Sequence, residues 1–495
     1  MLGVLVLVIG VFLGNAEGVK VIVVGAGPAG IAAATTLLSQ GIDVTVLEAE
    51  DRIGGRVHSV PFGDAVVDMG AEWCHGQKNN VVYEMVKHLG VLQSSNYSAS
   101  LFMSDRKVVG DQLTSDMHEL FEEIYSPDGN KKQEEGVTVG EYFIKRYNES
   151  ARQKFSGKDL DICLLSLDLM HHYVQSSEGA FSWFDTSANS DYRNCEGDLS
   201  LNWNGFGYKT ALEVLMRKHP RVYDPSFPIQ SKIQLNKVVQ KISWDDGVNV
   251  SCTDGTFHTA KHLIFTPSLG VLKYKHRRMF SPPLPRHKVR AIRDLGIGAV
   301  MKVLMHFEKR WWPEEFNGYS FVWTHEHRDM LIAEFTKGPS RYGRSWLLNF
   351  MSVLPLERNP NALSAWITGD LVPEIEKTSN ETLIDGLHFA LDKFLGHKFN
   401  ITKPDKILRT NWYANQNFRG TYSFQTTASR RMKDPSSNEI LAEPLKNVQG
   451  VPTVLFAGEA THSHYYSTVH GAIETGRREA NRILHFIQDA ENELS

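Results

Sequence analysis

The run Val19-Lys20-Val21-Ile22-Val23-Val24 passes directly into Gly25-Ala26-Gly27-Pro28-Ala29-Gly30, and no other feature of the chain restricts its fold as strongly. A short run of branched apolar residues reads as a strand buried on both faces of a parallel sheet. Glycines at 25, 27 and 30 permit a tight turn, and they let backbone N–H groups approach a pyrophosphate at the N-terminus of the helix predicted from Ile31 to Ser39. Val44-Thr45-Val46-Leu47 predicts a second strand, closed by Glu48, which lies 23 residues after Gly25 and is placed to bind ribose hydroxyls. A GxGxxG alone would be weak. With strand, turn, helix, strand and acid in order, the segment predicts a Rossmann-like βαβ unit that binds a dinucleotide through Gly25, Ala26, Gly27, Gly30 and Glu48.

Nicotinamide enzymes share this opening, so the next segment decides between dinucleotides. Asp51-Arg52-Ile53-Gly54-Gly55-Arg56 supplies a second glycine pair and two arginines just beyond the ribose-binding acid. On its own it could equally be a basic surface turn. Far downstream, Pro452 to Glu459 reads as another buried strand ending in Gly-Glu, with a helical pattern from Gly471 to Ile487. The chain therefore returns at its end to complete the cofactor domain. Lys237 to Trp244, with turns at Asp245-Asp246-Gly247 and Asp254-Gly255, predicts a β-meander leading to Leu263-Ile264-Phe265. The predicted fold class is α/β: a discontinuous cofactor domain (residues 19–90, 221–294 and 431–490) and an α+β substrate domain of mixed sheet and helices (91–220 and 295–430).

A chain of 495 residues with 42% apolar content can bury more than one core. Its net charge of −4 offers no basic excess for phosphates, which argues against a nucleic-acid partner. The apolar run Met1 to Leu13, followed by Gly14-Asn15-Ala16-Glu17-Gly18, reads as a signal peptide occupying residues 1–18, although no Lys or Arg stands near Met1. It falls short of the roughly 20 residues that span a bilayer, so no integral membrane span is expected there. Secretion is the localisation this implies, and sequons at Asn96, Asn148, Asn249, Asn380 and Asn400 are compatible with it. Cys74, Cys163, Cys195 and Cys252 show no metal-ligand spacing, and a Cys163–Cys195 disulfide is one possible pairing.

Taken together these segments resemble the flavin-containing amine oxidases of the polyamine-oxidase type over about residues 19–490. The resemblance rests on the Gly25 loop with Glu48, Arg52 to Val57, Gly70-Ala71-Glu72-Trp73-Cys74-His75-Gly76, Thr266 to Lys273, Gly298 to Val303, Phe418 to Ser423, and Phe456 to Gly476. It implies FAD as cofactor, with a small amine and molecular oxygen as reaction partners. It puts Glu48 on the ribose, Arg56 near the phosphates, Glu72 and Trp73 beside the flavin, Val239 at the adenine end and Glu459 near the ribityl or phosphate region. Thr468 and Val469 would open a helix facing the pyrimidine side of the ring, where a positive dipole end favours the reduced anion.

Lys302 lies in a strand-like apolar run, Gly298 to Leu304, where a cation is costly without a task or partner. By resemblance it holds a water against flavin N5; otherwise it is a lysine snorkelling from a strand end. His75 stands where relatives carry a histidine or acid that deprotonates or orients the amine; a satisfied core histidine is the competing reading. Thr421-Tyr422 occupies the place of the flavin-linked cysteine and aromatic of monoamine oxidases, so the FAD is expected to be noncovalent. By the same resemblance Thr468 stands in place of a second tyrosine, leaving Tyr422 without its usual facing partner, and Ser467-Thr468 is similar to animal polyamine oxidases. Met170 to Ser176 shows no acid of the kind that relatives use to hold a distal ammonium. An L-amino-acid oxidase, needing an arginine such as Arg193 or Arg419 for a carboxylate, a flavin desaturase, or a non-catalytic FAD-binding relative are the alternatives.

Overall fold

The strand Lys20–Val24 buries all but its first residue, because it lies between two parallel neighbours, Asp43–Leu47 and His262–Phe265. Pro452–Phe456 extends the sheet beyond His262–Phe265, with Leu445–Lys446 at that edge and Ile233–Gln234 at the other, giving six strands. The structure, a computed structural model, describes residues 18–494 except 96, 126–134 and 433. The expected leader, save Gly18, and the Asn96 sequon lie outside the described residues.

The helix Pro28–Ser39 is almost wholly small and apolar, and this lets it meet the C-terminal helix Val469–Leu494 at backbone distance. A Cβ on Gly476 would stand 2.1 Å from the carbonyl oxygen of Ala29, so that crossing has no room for a side chain. The expected meander is present as Val239–Ser243, Val248–Cys252 and Phe257–Ala260, joined by Phe280–Ser281 into a four-stranded sheet.

A second six-stranded sheet runs in the order Lys406–Arg409, Met301–His306, Asn359–Ile367, Phe350–Leu356, Tyr319–Val322, Ser100–Met103. Its strands alternate as a two-residue period requires. Phe102 enters the core that holds the helix Asn380–Leu395, while Leu101 and Met103 face a helical layer that includes Asp111–Tyr125, Val139–Lys154 and Leu167–Glu178.

Leu201, Trp203, Tyr208, Ala211 and Leu212 pack with Ala32 and Ile473, so this stretch covers the first helix. One expectation changes. The proposed Cys163–Cys195 disulfide is absent and all four cysteines are free. Cys163 is buried among helices against the Tyr147 hydroxyl at 3.0 Å, whereas Cys195 faces His470 at 3.6 Å in a different layer.

Candidate active site

The glycine loop is shaped by backbone it cannot avoid. Gly25 has φ +99°, and a Cβ there would come within 2.4 Å of the Thr266 hydroxyl; a Cβ on Gly30 would lie 1.9 Å from the Gly25 carbonyl oxygen. The second glycine pair folds onto the first: the Gly54 N–H donates to the Ala26 carbonyl at 2.8 Å, and a Cβ on Gly55 would stand 3.3 Å from the Gly27 Cα. A floor free of side chains is left below the N-terminus of the first helix. Such a floor fits a pyrophosphate.

Glu48 accepts from the Ala26 N–H at 2.6 Å and the Glu50 N–H at 2.8 Å, each on a different oxygen. Burial raises its carboxyl above the ordinary range, and these two bonds oppose the rise. Arg56 pairs with Glu459 at 2.9 Å and donates to the Thr421 carbonyl at 2.5 Å, both through Nη1. The other Glu459 oxygen accepts from the Ser423 hydroxyl at 2.6 Å and the Ser467 N–H at 2.8 Å. The Arg56–Glu459 pair thus ties three distant segments together in the cavity wall and leaves Arg56 Nη2 without a partner among the described residues. Val239 lines the same cavity near Lys237 and Val238.

From this groove one continuous cavity of about 1220 Å³ runs to the second sheet. Ordinary small-molecule sites hold roughly 300–1,000 Å³, so there is room here for a dinucleotide and a substrate together. At the junction, Lys302 in Met301–His306 is only 5% exposed, which excludes a snorkelling lysine. Its ammonium donates to Glu72 Oε2 at 2.5 Å, the Gly70 carbonyl at 2.8 Å and the Asp68 carbonyl at 3.3 Å. Trp366, its cross-strand partner, places a ring centroid 4.9 Å away and stacks on Trp73 at 5.7 Å.

His75 Nδ1 lies 2.6 Å from the Leu199 carbonyl oxygen, which can only accept, so Nδ1 carries the proton and Nε2 remains an acceptor. Burial holds its pKa below the ordinary imidazole value, keeping the ring neutral at neutral pH. It lines the cavity as a base would need to. Tyr422 donates to the Ser176 carbonyl, and its ring lies where a Cβ on Gly179 would meet it at 2.4 Å. Thr468 serves the helix: its hydroxyl donates to the Tyr465 carbonyl at 2.7 Å and accepts from the Gly471 N–H at 3.0 Å. Thr468 also lines the cavity, and its hydroxyl caps the helix that opens there. The free N–H groups of Val469 and His470, which bond to no described residue, carry the dipole that the cavity meets.

A carboxyl absent from Met170 to Ser176 stands just beyond it at Glu178, the last residue of Leu167–Glu178, and it lines the cavity. Burial pushes its carboxyl up to about 7, while a 2.9 Å hydrogen bond from the Tyr125 hydroxyl pulls the other way. Its neighbours Tyr192, Tyr422 and Tyr466 line the cavity too. Glu178 lies two residues beyond the segment Met170 to Ser176. Neither Arg193 nor Arg419 lines the cavity; the Arg419 guanidinium lies 3.5 Å over the Tyr274 ring. Among the described residues no helix is long and apolar enough to cross a membrane, and no group of three or more His, Cys, Asp or Glu could hold a metal.

Comparison with known proteins agrees with this geometry. The family model described as flavin containing amine oxidoreductase matches residues 28–484. A probable polyamine oxidase 5 of Arabidopsis thaliana is 27% identical, with 95% of this chain and 98% of that protein aligned. The human peroxisomal N(1)-acetyl-spermine/spermidine oxidase is 27% identical over 94% of this chain and 95% of its own. The human lysine-specific histone demethylase 2 is 28% identical, but the chain spans only 53% of its length. A solved putrescine oxidase superposes with a TM-score of 0.64 at 18% identity, covering 94% of this chain and 99% of the other, which establishes a shared fold.

Proposed function

Because the chain belongs to the flavin containing amine oxidoreductases, we propose that it oxidises polyamines, free or acetylated, with noncovalently bound FAD. Bound FAD would take a hydride from the carbon beside the amine and pass the electrons to oxygen, giving hydrogen peroxide and an imine for hydrolysis. The chain supplies the rest. The glycine floor, Glu48 and Arg56 would hold the dinucleotide. His75, neutral with Nε2 free of its carbonyl partner, is suited to take the proton of a substrate ammonium, which must lose its charge before its α-carbon becomes a good hydride donor.

One observation carries the choice of a polyamine: a half-buried carboxyl, Glu178, stands in the cavity wall among aromatic rings. A burial of this kind is costly unless a cation compensates it. A polyamine brings a second cationic centre, and a simple monoamine does not. The amino-acid oxidase reading loses support because neither candidate arginine reaches the cavity. Peroxide release across spermine, spermidine, their acetylated forms, putrescine, aromatic monoamines and L-amino acids tests the reading. Turnover of monoamines or amino acids without turnover of any polyamine would overturn it.

Glu178 gives the reading a pH signature. With its carboxyl near 7, the group is neutral in acid and anionic in base. Its attraction for a distal ammonium is therefore lost as pH falls through about 7. The KM for a polyamine should rise on acidification, and Glu178→Gln should raise KM at pH 8 on the order of 10- to 100-fold, the worth of a charge-assisted hydrogen bond. The variant should also remove that part of the pH dependence. An unchanged KM–pH profile in Glu178→Gln would exclude the carboxyl as the distal anchor.

Noncovalent attachment is tested by acid precipitation. Thr421 offers no sulfur at the position that the resemblance assigns to the flavin link, so free yellow FAD should appear in the supernatant. Flavin retained in the pellet would refute it.

A further inference from the structure

Lys302 has three N–H bonds to give as an ammonium, and three acceptors take them: Glu72 Oε2 at 2.5 Å, the Gly70 carbonyl at 2.8 Å and the Asp68 carbonyl at 3.3 Å. A lysine so engaged has no donor left to hold a water unless it gives up one of these bonds. The other Glu72 oxygen, Oε1, has no partner among the described residues, and Glu72 lines the cavity. What the pair turns toward the cavity is thus a carboxylate oxygen. The setting is dry, with side-chain exposures of 7% for Lys302 and 18% for Glu72, so the attraction is weakly screened.

Other charges around the pair sharpen its role. Asp68 is buried below it, tied to the Ser59 hydroxyl and the Tyr208 N–H, and burial pushes its carboxyl up to about 7. Glu357, held by the Ser95 hydroxyl at 2.8 Å and the Tyr97 hydroxyl at 3.2 Å, also feels Glu72, and burial raises its carboxyl. Among the described residues, Lys302 is the one cation with which Glu72 forms an ion pair. Removing either partner would leave the other buried and unbalanced.

We propose that Glu72 is a positioning residue that pins the Lys302 ammonium and cancels its charge at the wall where the flavin ring binds, so that the two act as one neutral unit. The proposal rests on the reading that FAD occupies this wall. Binding energy that fixes Lys302 is spent before the reaction, and misplacing a catalytic group by about 1 Å can cost on the order of 10²-fold. Glu72→Gln keeps the shape but loses the charge, so Lys302 loses its strongest anchor.

The decisive measurement is the reduction potential of the bound FAD, taken anaerobically by dye equilibration without any amine. Glu72→Gln leaves an unbalanced cation, favours the anionic reduced cofactor and should raise the potential. Lys302→Met leaves an unbalanced carboxylate and should lower it. The double variant should return close to wild type, and Glu72→Asp, which keeps the charge, should stay close to it. In stopped-flow, Glu72→Gln should slow the oxygen half-reaction roughly 10- to 100-fold but add almost nothing in the Lys302→Met background, as coupled residues do.

Potential shifts of the same sign, or stopped-flow rate losses that multiply in full in the double variant, would overturn the pairing. If Glu72→Gln does not retain FAD, Glu72→Asn replaces it. If neither uncharged variant loads while Lys302→Met does, Glu72 is a support of the pocket wall and the proposal fails. The potentials need no substrate, so they remain readable if polyamines prove not to be oxidised. Opposite shifts together with an inactive amine panel would sink the substrate reading alone.

Discussion

Gly30→Ala should yield protein that retains no FAD. The added Cβ would stand 1.9 Å from the Gly25 carbonyl oxygen, 3.0 Å from its carbon and 3.3 Å from the Thr266 hydroxyl. The first two are backbone atoms of the loop that forms the phosphate floor, so no side chain can rotate away to make room. The helix Pro28–Ser39 would have to lift off the sheet, yet it is held there by its contact with the C-terminal helix through Ala29 and Gly476. Overpacking of this kind costs about 1–3 kcal/mol even where neighbours can yield, and here the loss falls on the cofactor site itself. The ratio of flavin to protein absorbance after gel filtration reads the outcome. Gly41→Ala is the control: its φ of +76° brings strain, but a Cβ there meets nothing within 4 Å. That variant should lose about 1–2 kcal/mol of stability and keep its cofactor. A yellow, fully loaded Gly30→Ala would mean that the loop is not the dinucleotide cradle.

Lys302→Met should lower amine turnover on the order of 10²-fold or more, the common cost of removing one positioned catalytic group. Methionine suits the length of the side chain and the apolar strand around it, since Met301, Val303 and Leu304 are buried. The fold should survive with a penalty, because the Asp68 and Gly70 carbonyls and the Glu72 carboxylate lose their donor. Each unsatisfied acceptor costs about 1–3 kcal/mol. Thermal unfolding should therefore begin earlier in the variant, and the FAD should remain bound. Stopped-flow then divides the loss between reduction by amine and reoxidation by oxygen, and reoxidation should suffer at least as much. Wild-type rates in both half-reactions of a folded, loaded variant would reduce Lys302 to a structural cation beneath the Trp73–Trp366 stack.

The elements that the sequence determined by itself are those whose physics is local. Val19 to Val24 could only be a doubly covered strand, and the glycines that follow could only be a turn with close backbone approach, because both consequences act within a few residues. The meander from Val239 and the return of the chain at Pro452–Phe456 were legible for the same reason, through apolar periodicity and turn residues. Lys302 announced itself by being a cation in an apolar strand.

Tertiary structure alone decided what those groups touch. Glu72 and Lys302 are 230 residues apart, and Arg56 and Glu459 are 403 apart, so no pattern in either segment encodes the pairing. Glu178 was overlooked because its value lies in facing the cavity beside Tyr125, 53 residues earlier, and helical spacing fixes a side chain's face without naming what lies opposite. Thr468 could be placed at a helix start from sequence, but its hydroxyl's commitment to Tyr465 and Gly471 follows from the left-handed turn at Ser467, φ +69°. A Cys163–Cys195 disulfide is one of the pairings that the sequence leaves open, yet a disulfide needs Cα atoms within about 7 Å. Their side chains were assigned to separate layers by packing, which depends on the volume and direction of neighbours far away in the chain and leaves no mark in the spacing of the cysteines themselves.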